Sequence, residues 1–325
     1  KCNCAVVHII NFTKPSLPSS FKKLSALRQL GVYTGQLQNL SASFGQNHKK
    51  MISLKIIRNK LTTLPSSIGA MNNLVHFWIM DNRLISIPGS IEGLQILNNL
   101  NLDNNQLTSL PENVENLEHL VYLSVSGNRL RTLPDGVSNL KLLSIIIAFN
   151  NRLTALPKNI GNLKNLIELY LYNNRLSEVP ESIGLLQHLT TCYVWNNTLA
   201  KLPESVGGMK SLKLVDLRHN ELTALPDSIK EWKAVKYFAI AGNPLCPNYN
   251  FPSSLPPSEE SCKIQCSADC PSTFMANRYH DKSLECNDND YTYIKLRKFL
   301  SSVNPQPGQG CNTANCEFDR GTCKL

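Results

Sequence analysis

One pattern governs most of this chain. The template L-x-x-L-x-L-x-x-N-x-L-x-x-L-P recurs every 23 residues, with its first position at Leu74, Leu97, Leu120, Leu143, Leu166, Leu189, Leu212 and Val235. Met51 opens a further copy, Leu27 opens one 24 residues before that, and a degenerate copy starts at Cys4. Nine of these eleven units carry the asparagine, from Asn59 to Asn243. Self-similarity at such a period restricts the fold to a stack of identical supersecondary units.

The spacing within the unit supplies its geometry. Positions four and six alternate inward, as a short strand requires. A strand this short cannot bury its face alone, so it pairs with the next copy in a parallel sheet. The asparagine stands where the chain leaves the strand, and its amide can satisfy backbone groups of neighbouring turns. The Leu-Pro step turns the chain again, and a convex segment such as Ser67-Ile68-Gly69 returns it. The fold class expected is α/β: a solenoid with a parallel sheet on its concave face and short helical or irregular convex segments. A small disulfide-rich C-terminal cap completes it. Residues 1–26 form the N-terminal cap and degenerate first repeat, 27–245 the regular repeats, and 246–325 a Cys-rich C-terminal cap.

The LP-x-x-I-G units resemble the leucine-rich repeats of plant Ras-group-related proteins and of animal Ras-pathway scaffolds. That resemblance covers roughly residues 4–245 and implies the fold; it leaves the partner open, because repeats of this kind serve many ligands. The repeat type alone also suits an intracellular signalling scaffold.

The ends point elsewhere. Of eleven cysteines, eight fall between Cys246 and Cys323, and small Cys-dense segments usually rely on disulfides in oxidising compartments. Cys2 and Cys4 are too close to bridge each other comfortably and need partners elsewhere. Sequons at Asn11, Asn39 and Asn196 agree with secretion. Asn243-Pro-Leu-Cys246 is similar to the Asn-Pro-x-x-Cys step of extracellular C-terminal caps. That resemblance implies a bond from Cys246 to Cys262, Cys266 or Cys270. The segment from Cys311 to Cys323 resembles the end of a Lin-12/Notch repeat, a module that holds calcium through oxygen ligands. Asn312 and Asp319 match its polar positions, but Thr322 and Arg320 depart from it, which favours a disulfide-only cap over a calcium site. The combination of repeats and Notch-like tail resembles secreted or surface proteins of oomycetes. A secreted or cell-surface protein is therefore expected, with no cofactor and no membrane-spanning segment in this chain.

The residues flanking the inward positions face the concave side, and two groups of them stand out. Ile147, Phe149, Tyr170, Tyr172, Tyr193 and Trp195 make an aromatic field over three repeats. Trp78 and Met80, with His76 and Ile57, make a smaller one, and Asn99, Asn101, Asp103, Ser124 and Ser126 lie between. Adjacent large aromatics on a solvated sheet mark interaction sites, although cross-strand packing can also account for them. A protein or peptide partner is the leading expectation. Just past the asparagines stand Arg83, Arg129, Arg152 and Arg175, which could bind carboxylates or sulfates of an acidic wall or matrix polysaccharide. The formal charge of +9 suits such a partner; nucleic acid is not expected, because no reading motif accompanies it. No nucleophile, base and acid occur at a motif spacing, and no phosphate-binding glycine loop appears, so catalysis is not expected. Cys192, at an inward strand position, is expected to be a buried free thiol.

Overall fold

The computed structural model describes residues 5–246 together with Pro252 and Leu255. Its strands form one eleven-stranded parallel sheet whose spatial order is the sequence order. The first three are five residues long: β1 (Val6–Ile10), β2 (Gln29–Tyr33) and β3 (Ser53–Ile57). The others have three residues: β4 (His76–Trp78), β5 (Asn99–Asn101), β6 (Tyr122–Ser124) and β7 (Ile145–Ile147). They continue as β8 (Glu168–Tyr170), β9 (Thr191–Tyr193), β10 (Leu214–Asp216) and β11 (Tyr237–Ala239). The Cys2 and Cys4 positions, the bond partners expected for Cys246, and the Notch-like segment with Asn312 and Asp319 lie outside the described residues. Cys246 itself is disulfide-bonded.

Register is constant, so each template position becomes a row running along the solenoid. Ile147 faces Tyr170, which faces Tyr193. Phe77 likewise lies between Leu54 and Leu100. The inward rows build one continuous core in which residues such as Leu54, Phe77, Leu123 and Ile146 are fully buried. Each such side chain contributes about 1.5–3 kcal/mol through removal from water.

The asparagine row holds adjacent turns together. Asn128 accepts from the Leu107 amide through Oδ1 at 3.0 Å and donates through Nδ2 to the carbonyls of Leu102, Val125 and Ser126. The Val125 carbonyl also receives Asn151 of the next repeat. One side chain therefore joins two adjacent units, and the pattern repeats along the ladder.

The convex segments are mainly five-residue 3-10 turns, as at Ser66–Ala70, Gly89–Gly93 and Glu181–Leu185. One four-residue α-turn, Phe44–Asn47, falls in the repeat that is one residue longer. The α component expected from the sequence is thus small. Prolines such as Pro88 (φ −66°) enter the 3-10 turns from an extended backbone, and a 23-residue period leaves no room for a longer helix. Close stacking of these turns explains the glycine of I-G: a Cβ on Gly184 would lie 2.0 Å from the Ser205 carbonyl oxygen.

A further row went unread in the sequence. Position eight of every unit has positive φ, from Asn11 (54°) through Asp81, Asn104, Gly127, Asn150, Asn173 and Asn196 to Gly242 (75°). This left-handed step turns the chain out of the strand. It favours Gly, Asn and Asp, the residues that fill most of the row, so the signal was present in the sequence.

Candidate binding surface on the concave face

The outward residues of the middle strands form a second apolar cluster on the opposite side of the sheet from the core. Tyr122, Ile147 and Tyr170 are its buried members, with Ile145, Phe149, Tyr172 and Tyr193 packed against them half-exposed. Phe149 and Tyr172 stack with ring centroids 4.4 Å apart and planes 8° apart. Tyr172 and Trp195 stack at 4.6 Å and 6°. Tyr170 meets Tyr193 edge-on at 5.6 Å, and its hydroxyl donates to Glu168 at 2.8 Å. Burial, followed by the Glu168 charge, pushes the Tyr170 phenol well above its ordinary pKa.

Two sequence expectations change here. Ile147 and Tyr170 are only 2% and 3% exposed, and Trp78, beneath Lys55, 6%, so these three offer little contact area as the face stands. Strands about 4.8 Å apart bring large neighbours over one another. Moreover, Tyr172 has both ring faces covered by its neighbours in the stack. Phe149, Tyr172, Tyr193 and Trp195 keep half-exposed side chains on this face. Tyr122 and Ile145, absent from the sequence reading, support it from the row nearer the strand starts.

Towards the N-terminus the face becomes polar. Asp103 accepts from the Ser124 hydroxyl at 2.6 Å and from the Ser126 amide at 2.7 Å, both through Oδ1. Asn101 Oδ1 accepts from the Asp103 amide at 2.9 Å. Burial raises the Asp103 pKa to about 6, against the lowering effect of these hydrogen bonds. Beyond lies the smaller group. His76 Nδ1 pairs with Asn99 Oδ1 at 2.9 Å, Met80 is half-exposed, and Lys55 Nζ sits over the Trp78 ring, 4.3 Å from its centroid.

On the rim past the strand ends, Arg83, Arg129, Arg152 and Arg175 are all exposed, and none is in an ion pair among the described residues. Their amides bond to the preceding turn, so the row follows the solenoid beside the aromatic stack. An open basin of about 490 Å³ lined by Ile167, His188, Thr190, Lys210 and Lys213 lies on the opposite rim; none of the expected site residues lines it. Asn11, Asn39 and Asn196 are exposed. Asn196 donates to Asn173 at 2.7 Å, and Asn173 donates to Asn150 at 2.6 Å. Cys192 is free and buried, and burial pushes its thiol up to about 12. Among the described residues no group of three or more His, Cys, Asp and Glu could hold a metal, and no helix is long and apolar enough to cross a membrane.

The stacked strands, the asparagine ladder and the convex 3-10 turns define a repeat solenoid. The chain is a leucine-rich repeat protein. A family model described as a leucine-rich repeat region matches residues 90–175, and a second, described as a leucine-rich repeat, matches 165–186. Among solved structures, the chain resembles YopM, a leucine-rich effector protein from Yersinia pestis (27% identity, TM-score 0.61, 74% of this chain and 61% of that one). It also resembles the Arabidopsis receptor kinase HAESA, solved with a peptide hormone and a co-receptor (26%, 0.61, 73% and 45%). The plant peptide hormone receptor RGFR1, solved with RGF2, is similar at 25% identity and TM-score 0.57, over 70% of this chain and 46% of that one. The chain thus spans less than two thirds of the length of each. A search of curated proteins returns no match.

Proposed function

We propose that this protein binds a protein or peptide partner outside the cell, through the concave-face side chains of Phe149, Tyr172, Tyr193 and Trp195, and that it performs no catalysis. One observation carries the reading: an aromatic cluster, separate from the core, covers four repeats of a sheet whose outward residues the repeat leaves unspecified. Two of the similar structures, HAESA and RGFR1, were solved with peptide hormones, which supports a peptide ligand. The test is selection from a phage library of random twelve-residue peptides. Wild type enriches peptides with apolar anchors, and Tyr193→Ser with Trp195→Ser abolishes that enrichment. Equal enrichment by the double variant would remove the aromatic field as the site.

The extracellular setting is supported by the disulfide at Cys246 and by three exposed sequons. Thiol titration checks it: one thiol per chain, reacting only after denaturation, is the expected count, because Cys192 is buried. Eleven reactive thiols would restore an intracellular scaffold. The exposed, unpaired arginine row favours a second reading, binding of an acidic polysaccharide. It would appear as salt-sensitive retention on polygalacturonate.

A further inference from the structure

At the N-terminal end of the concave face, two hydrogen-bond donors lie side by side without acceptors. Lys55 and Trp78 are direct partners across β3 and β4. The Lys55 ammonium rests over the indole and makes no ion pair among the described residues. Trp78 Nε1 is buried and has no hydrogen-bond partner among the described residues. A buried donor left unsatisfied costs about 1–3 kcal/mol, so its retention needs a cause. By contrast, Trp232 Nε1, in the core, donates to the Val206 carbonyl at 2.8 Å.

The surroundings select for negative charge. His8 and His76 lie close enough to Lys55 for its charge to lower both their pKa values, in addition to the larger effect of burial. Lys55 is itself held below the ordinary lysine value by burial. The nearest carboxylate on the concave rows, Asp103, is two strands away and already accepts from Ser124 and Ser126. The Lys55 ammonium lies over the indole face on a long flexible side chain, so a swing of that chain admits one oxygen to both donors.

We infer that Lys55 and Trp78 form a carboxylate subsite for the same peptide that the aromatic field anchors, reading an acidic side chain or terminus at one end of it. The inference rests on the peptide-binding reading above. From β3 to β7 are four strand steps, about 19 Å at about 4.8 Å each. An extended chain rising about 3.3 Å per residue covers that distance in about six residues. The intervening floor of Asn99, Asn101, Asp103, Ser124 and Ser126 is buried and low, so it leaves room for a chain to pass.

The test uses the same peptide library on the full chain. Wild type is expected to enrich Asp or Glu about six residues from the apolar anchor, and Lys55→Gln to retain the anchor while losing the acidic preference. A synthetic consensus peptide then completes a double-mutant cycle: Glu→Gln in the peptide weakens binding about tenfold to wild type and leaves binding to the Lys55→Gln protein unchanged. An apolar consensus with no acidic preference, or one that persists in Lys55→Gln, overturns the subsite alone. Absence of any apolar consensus overturns the peptide reading and this inference together.

Discussion

The two faces of the sheet contrast sharply, although the same strands build both. Inward, the residues are aliphatic with few exceptions, and each repeat buries nearly the same set. Outward, an apolar aromatic cluster lies on β6–β9, with polar residues on β5, a lysine over a tryptophan on β3 and β4, and a His8–Tyr33 ring contact on β1 and β2. The inward set follows from the need to stack identical units. The outward set does not, since Ser124 and Asn101 occupy the same row as Tyr170 and support the fold equally well. A row that varies while its neighbours hold constant is where a solenoid can encode a ligand.

The largest effect should come from the lattice beneath both faces. Asn128→Ala orphans the Leu107 amide, which lies in a fully buried turn, and withdraws three donations at once. A loss of roughly 3–5 kcal/mol is expected in denaturant unfolding. A loss below about 1 kcal/mol would mean that the ladder is ornamental to the core.

Those lattice residues were the readable part of the sequence. Leucines, asparagines and prolines recur because every unit faces the same physical demand, so period alone placed eleven strands in order. The outward face was legible in composition but not in exposure. Ile147 and Tyr170 look like contact residues in a row of letters. They are covered because ring size and strand spacing, which a single-letter column does not express, decide who overlies whom. Tyr122 and Ile145 were missed for a related reason: from their row, nearer the strand starts, only polar residues such as His76 and Asn99 were read as concave. The left-handed row at position eight was recoverable from its Asn, Asp and Gly content, whereas Arg58 and His219 in the same row obscure it.

Next in size is the polar floor between the two outward groups. The Asp103 pKa is raised to about 6 in the fold from an ordinary 3.8. Between about pH 4 and 6 the folded chain keeps a proton that the unfolded chain has released, so this group's contribution falls as pH rises through that window. The total is about 3 kcal/mol. Asp103→Asn should flatten that part of the stability profile, because an amide oxygen can still accept from Ser124 and Ser126. An unchanged slope in the variant would show that Asp103 ionises freely.

Tyr172→Ala should cost less, about 2 kcal/mol, since it removes two ring stacks at a half-exposed position while the core remains intact. Its sharper use is the comparison with Tyr193→Ser. Both should impair peptide binding, but only Tyr172→Ala should lower the unfolding midpoint appreciably. If the two lower it equally, the concave cluster is a structural unit rather than a contact surface.

The smallest stability effect belongs to the arginine rim. Arg129→Glu with Arg152→Glu touches exposed side chains that make no ion pair, so stability should shift by less than about 0.5 kcal/mol. The double variant nevertheless moves the net charge of that edge by four units. If the rim serves an acidic polysaccharide, salt-sensitive retention on polygalacturonate falls while binding of the selected peptide persists. If retention is unchanged, the positive rim is a solvated edge. The ligand code then resides wholly on the concave rows, where the residues differ from one repeat to the next.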